Sequence, residues 1–225
     1  IVLSLRLPRV LFAAVAGAGL AVCGLAFQSI FRNPLSDPYV LGVSSGASLG
    51  AAVAIVLGAE GMILGVGLSS FVFAMLTVLI IIRISSYGNR IHTSTLLLAG
   101  ISINFLISSL ISLLMVLNRE QMEKITFCSM VSLSYTDYND LLFVTSAVLL
   151  GIGVVAFHAR DLNALLIDNQ TAQSLGVNVE KTKRIILSVC TLMVSSIVCC
   201  SGVIGFIGLV VPHMVRTIAG ADNRK

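Results

Sequence analysis

The sequence predicts an all-α, polytopic bundle of transmembrane helices, and three observations carry that prediction. Residues 10–31, 38–59 and 61–82 each run about 22 residues without a charge, and a hydrocarbon core of roughly 30 Å takes about 20 apolar helical residues to cross. Only Arg32 to Asp37 and Glu60 separate these runs, which leaves no room for the loops and polar faces of a soluble domain. The chain is 57% hydrophobic and 11% charged, whereas soluble domains carry roughly 25% charged residues.

The first run follows Arg6-Leu7-Pro8-Arg9, where Pro8 suits the opening turn of a helix. It ends at Arg32-Asn33-Pro34-Leu35-Ser36-Asp37-Pro38, whose two prolines stop one helix and delay the next. A stiff hairpin results, placed to constrict the mouth of the bundle. In the second run Gly42, Gly46 and Gly50 recur at four-residue spacing beside Ser45 and Ser48, and Gly61 and Gly65 repeat the pattern in the third. Small residues so spaced let membrane helices approach closely. A polar connection, 83–92, leads to a fourth span at 93–117. The connection 118–140 precedes a fifth span at 141–157, and the longest connection, 158–184, precedes a sixth at 185–202.

Within that longest connection, Asp168 is a good N-cap and Gly176 a good C-cap, so residues 168–176 are expected to hold a helix of about two turns. A capped polar helix with no lipid to cover is a candidate docking element for a soluble partner. The last apolar piece, 206–219, is short for a span and carries Pro212, His213 and Arg216 after Gly202, Gly205 and Gly208. Ionisable groups at membrane depth face a bundle interior or a water-filled path, unless a long side chain snorkels to the surface.

Orientation follows from the positive charges of alternate connections. Arg32, Arg83, Arg90, Arg160, Lys181, Lys183 and Arg184 gather on one side, and Arg6, Arg9, Arg119 and Lys124 on the other. The richer side is cytoplasmic, so the first helix runs inward. The net charge of +4 thus resides in loops and forms no face for nucleic acid. Of the five cysteines, Cys23, Cys190, Cys199 and Cys200 lie in apolar runs, and no Cys or His spacing with Cys128 calls for a metal or other cofactor. No cleavable signal opens the chain. It starts at Ile1 and stops at Lys225, and 1–225 reads as one transmembrane domain cut at both ends, with a cytoplasmic loop at 159–184.

Two function classes compete. Gly42-Val43-Ser44-Ser45-Gly46 fits the nucleophile-elbow pattern, so an intramembrane serine hydrolase would pair Ser44 or Ser45 with His213; the elbow, however, needs a strand–turn–helix setting. No phosphate-binding GxxxxGK[ST] is present, so a transport role would need a separate ATPase. A secondary transporter is disfavoured, since no acidic residue lies within an apolar span.

The residues also carry a resemblance. Arg6-Leu7-Pro8-Arg9, Gly24, Gln28, Arg32-Asn33-Pro34-Leu35, Leu41-Gly42 and Ser45-Gly46-Ala47 closely resemble the start of the FecCD-type permease family, the membrane subunits of ATP-binding-cassette importers for ferric siderophores, haem and cobalamin. Leu96-Leu97-Leu98-Ala99-Gly100-Ile101 with Asn104 looks like its middle signature. Gly202-Val203-Ile204-Gly205-Phe206-Ile207-Gly208-Leu209-Val210-Val211-Pro212-His213, with Arg216, Gly220, Asp222 and Arg224, looks like its most recognisable stretch.

The resemblance implies a fold of about ten helices, of which seven to eight are present here, in a multi-pass protein of the cytoplasmic (inner) membrane. It implies a homodimer or pseudodimer around a central path, two cytoplasmic ATPase subunits and an extracytoplasmic substrate-binding protein, with no catalytic residues in this chain. Asn33, Leu35, His92 and Thr93 would form its inner gate. Asp168, Asn169, Ala172, Leu175 and Gly176 would couple to the ATPase, and Arg6 and Arg9 would dock the binding protein. The family's usual Gly-Glu is Asp168-Asn169 here, and Cys128, Val131 and Tyr138 stand where its outer loop carries Trp, Gly and Trp.

Overall fold

Proline and glycine decide where the apolar runs become helices. The computed structural model describes residues 6–34, 36–59, 65–87, 90–91, 93–130, 137–202 and 204–220. Helix α1 (Leu7–Phe31) has Pro8 in its first turn and stops at Arg32, which takes the left-handed conformation at φ 51°. The second run departs from the single span expected at 38–59. Asp37 caps a 3-10 turn, Pro38–Leu41, by accepting the N–H of Tyr39, and Gly42 then turns left-handed at φ 69°. Helix α2 (Val43–Val56) has only 14 residues, about 21 Å at 1.5 Å per residue. Gly42 therefore serves as a hinge as well as a packing residue.

Helix α3 (Gly65–Ser85) leads into a two-residue antiparallel ladder, β1 (Ser86–Tyr87) with β2 (Arg90–Ile91), pairing Ser86 with Ile91 and Tyr87 with Arg90. The sequence presented this stretch only as a polar connection. Helix α4 (Thr93–Leu117) follows, then a 3-10 turn at Arg119–Gln121 and the short α5 (Met122–Ser129). Helix α6 (Tyr138–Phe157) opens with a capping box, the Asp137 side chain on the helix and Asp140 reaching back to the Asp137 N–H. The loop at 158–184 is largely helical, with α7 (Ala159–Ile167) and α8 (Asn169–Ser174) ahead of α9 (Val179–Ser201) and α10 (Ile207–Ala219). Among the described residues, α1, α3, α4, α6 and α9 are long and apolar enough to cross a membrane, and α2 and α10 are shorter apolar helices.

Helix α9 is the axis. In its apolar window 61% of residues are buried, whereas only 11% are buried in α4. Ile186, Leu187, Cys190, Met193, Val194 and Ile197 are inaccessible to solvent, and α9 packs on α1, α2, α3 and α6. A close backbone approach joins α1 to α10, where a Cβ on Gly24 would overlap the Gly208 carbonyl. Beside it the Gln28 side chain donates from Nε2 to the Leu209 carbonyl at 3.2 Å. On α2, a Cβ at Gly46 would stand 2.9 Å from Thr77 Cβ and one at Gly50 2.8 Å from Ser70 Cα, so both lie against α3.

Gly24→Ala should therefore destabilise the folded protein by about 1–3 kcal/mol through overpacking. Gly17→Ala, on the same helix with nothing within 4 Å of the new methyl group, should leave stability unchanged. Thermal unfolding of both variants in detergent, followed by size-exclusion recovery, checks the difference.

Candidate functional site: the proline turn and its neighbours

At the end of α1 the carbonyl of Gln28 accepts the backbone N–H of Arg32 and, at 3.3 Å, that of Asn33. The Ser36 N–H returns to the Asn33 carbonyl at 3.1 Å, closing a turn around Pro34. Leu35 and His92 lie outside the described residues; Thr93 begins α4. The far end of the turn is held by Asp37, whose carboxylate takes the backbone N–H of Tyr39 at 3.0 Å. Burial raises the Asp37 carboxyl above the usual range, and the N–H groups of Tyr39 and Phe206 oppose the rise. Phe206, left-handed at φ 67°, is the N-cap of α10, and a Cβ on Gly208 would stand 3.2 Å from Pro38 Cδ, so the turn lies against the entry of α10.

The break at Gly42 is bridged from α4. Asn104 Nδ2 donates to the Tyr39 carbonyl at 3.3 Å, and its Oδ1 accepts from the Ser45 hydroxyl. The Ser45 hydroxyl also lies 3.1 Å from the Gly42 carbonyl. Ser44 is buried, and a 3-10 turn, not a strand, precedes the G-x-S-x-G segment. His213 is exposed on α10, which packs against α1. The serine is thus a structural bridge without the elbow that would make it a nucleophile. Arg216 reaches inward, with Nη2 3.2 Å from the Ser29 hydroxyl of α1.

The segment after α6 is built to present a small helix. Leu162 and Leu165 of α7 are fully buried, while Ile167 is 69% exposed. Asp168 caps α8 by accepting the Gln170 N–H at 3.1 Å through Oδ2, and its Oδ1 receives Arg32 Nη1 at 2.9 Å. The N–H groups of Gln170 and Asn169, and then Arg32, hold the Asp168 carboxyl below its usual range. Ala172 is buried, and Leu175 is 68% exposed. Gly176 closes the helix at φ 83°, donating to the Gln173 carbonyl at 2.9 Å while Val177 donates to that of Ala172 at 3.0 Å. That pair of bonds is the Schellman arrangement.

Arg6 is exposed at the head of α1 and Arg9 is half-buried one turn on. By helix alternation this end shares its side with α5 and with the C-terminal end of α9. A cavity of about 620 Å³ lies there, lined by Ser48 of α2, Ser70 of α3, Cys128 of α5, and Cys199, Cys200 and Ser201 of α9. Its walls come from four separated segments, and no pattern in the sequence announces it. The bare face of α4 exposes Leu98, Ser102, Phe105, Ser109 and Ser112. The Ser109 and Ser112 hydroxyls are turned back onto the carbonyls of Phe105 and Ser108.

The model of the FecCD transport family matches residues 1–225. The chain is 36% identical over 224 residues to the cobalamin import system permease protein BtuC of Halobacterium salinarum, covering 100% of this chain and 60% of that protein. It is 40% identical over 231 residues to the hemin transport system permease protein HmuU of Yersinia pestis, covering 99% of this chain and 68% of the relative. It is 36% identical over 233 residues to the ferric enterobactin transport system permease protein FepD of Escherichia coli, covering 100% and 67%. A solved structure, described as an inward-facing conformation and assigned to a metal-chelate type ABC transporter, superimposes with a TM-score of 0.92 at 32% identity, covering 100% of this chain and 71% of that one.

Asn104→Leu removes the bridge across the Gly42 break and should cost roughly 0.5–2 kcal/mol, the range of interhelical hydrogen bonds in membranes. Ser102→Ala, on the exposed face of the same helix, should cost nothing measurable. Unfolding midpoints of the two purified variants provide the comparison.

Proposed function

The chain belongs to the FecCD transport family, and from that premise we propose that it is the membrane-spanning permease of an ATP-driven importer. Its cargo on this reading is an iron chelate, such as a ferric siderophore or haem, or else cobalamin. The observation that carries the proposal is the family match over the whole chain together with a capped helix, α8, at the end of the molecule richer in positive loop charge. On this reading α8 docks a cytoplasmic ATPase through Asp168, Asn169, Ala172, Leu175 and Gly176. Asn33 with Leu35, and His92 with Thr93, narrow the inner end of the pathway. Arg6 and Arg9 pair with carboxylates of an extracytoplasmic binding protein, a role for which the guanidinium fork is suited.

The exposure of α4 supports a second permease copy, or a close relative, packed around a shared path. Its apolar window is the least buried of the five membrane-length helices described. Serines on an exposed helix face suit a pathway wall better than lipid. A hydrolase reading finds no support in the setting of Ser44 and Ser45.

Transport is the direct test. The full-length permease, reconstituted with its ATPase and binding protein, should accumulate one of radiolabelled ferric siderophore, haem or cobalamin only with ATP present. ATP-independent uptake, or none of the three, would overturn the proposal. Docking is tested separately by Gly176→Val, which puts a β-branched residue at φ 83° and should disorder the C-cap. Recovery of the ATPase with affinity-captured permease should fall several-fold, while the variant remains folded by size exclusion.

A further inference from the structure

The contact between Arg32 and Asp168 spans 136 residues of sequence and joins two elements with separate proposed roles. Arg32 ends α1 and begins the turn at 33–37; Asp168 is the N-cap of α8. We propose that this ion pair is the strut through which displacement of α8 reaches the cytoplasmic turn, with Arg32 as a positioning residue for the turn. The inference rests on the reading of α8 as the ATPase-docking helix.

Three features of the geometry support it. First, Asp168 divides its carboxylate, one oxygen on the helix it caps and the other on Arg32. A shift of α8 therefore displaces the partner of Arg32 directly, without a loop between them to absorb it. Second, Arg32 has no slack on its own side. Its backbone is held at φ 51° and ψ 36°, with its N–H on the Gln28 carbonyl. A non-glycine residue pays for that conformation, so the turn begins at a fixed angle from a residue clamped to α8. Third, the opposite end of the turn is seated against the start of α10, where a Cβ on Gly208 would stand 3.2 Å from Pro38 Cδ. A turn tied at one end to α8 and seated at the other on the start of α10 tilts when α8 moves.

Stability alone does not explain the pair. Both side chains are well exposed, at 39% and 43%, and exposed ion pairs contribute little to stability. The fold has firmer ties at this end, since α7 packs on both α1 and α8. What the ion pair adds is a directional link between charged groups at fixed backbone positions.

The test uses the full-length permease assembled with its ATPase and binding protein in proteoliposomes, scored as substrate transported per ATP hydrolysed. Arg32→Gly suits the left-handed backbone and removes the whole side chain, guanidinium included, so the protein should fold as well as the parent and retain its ATPase. Transport per ATP should nevertheless fall at least threefold, and Arg32→Lys, which keeps the charge, should restore at least half of it. Asp168→Asn keeps a capping side chain and, normalised to the ATPase retained, should fall to the same degree. The double variant should be no worse than either single one. Asn33→Cys in a Cys128→Ser background gives a second readout, because labelling of the introduced thiol by a soluble maleimide should respond to trapped nucleotide in the parent and not in Arg32→Gly. Unchanged transport per ATP in Arg32→Gly, or losses that multiply in the double variant, would overturn the strut. A parent that transports nothing with ATP, or captures no ATPase, would instead overturn the functional reading on which it rests.

Discussion

A chain crossing hydrocarbon must satisfy every backbone N–H and carbonyl from within, because no water is there to take them. Two departures from helix among the described residues show how that requirement is met. Where Gly42 interrupts the second apolar run, Asn104 covers the Tyr39 carbonyl and Ser45 turns back to Gly42. Where α1 ends, the Gln28 carbonyl takes two N–H groups while its amide side chain reaches the Leu209 carbonyl. Gln28, Ser45 and Asn104 thus stand beside broken helices.

The result is a molecule of two characters. Around α9 the packing is dense, and α1, α2, α3 and α6 pack against it. Glycines bring α1 onto α10 and α2 onto α3. Helix α4 lies outside this group, its apolar window almost bare, and α7 with α8 forms a separate shelf at one end. A dense core thus sits beside one little-buried helix and one small polar helix.

Much of this was legible in the sequence, for definite reasons. Span positions follow from uncharged length, which the bilayer dictates. The cap residues Asp168 and Gly176 signal α8 by local chemistry alone, and both occupy the expected positions. The proline-bounded turn at 33–37 follows from steric rules that act within two residues. What escaped depends on partners distant in the chain. Gly42 reads as one more small residue in a packing stripe, and only Asn104, 59 positions from Ser45, makes it a hinge. The ladder at 86–91 and helix α7 lie in stretches that polarity marked as connections. The contact of Arg32 with Asp168 and the cavity beside Cys128, Cys199 and Cys200 carry no local signature, because each joins residues that only the folded bundle brings together.

Helix α10 has a consequence for biosynthesis. Its 13 residues, with Pro212 inside and Arg216 in the last turn, fall well short of the roughly 20 that cross a bilayer. Alone it is a poor candidate to leave the translocation channel sideways into lipid. Helix α1 offers what it lacks: the Ser29 hydroxyl for Arg216, the Gln28 amide for the Leu209 carbonyl, and a glycine that admits the backbone of Gly208. Since α1 is synthesised first, it can wait in the membrane as the surface on which α10 partitions. Integration of the later helix is then a docking event between two parts of one nascent chain, set by the order in which the ribosome makes them.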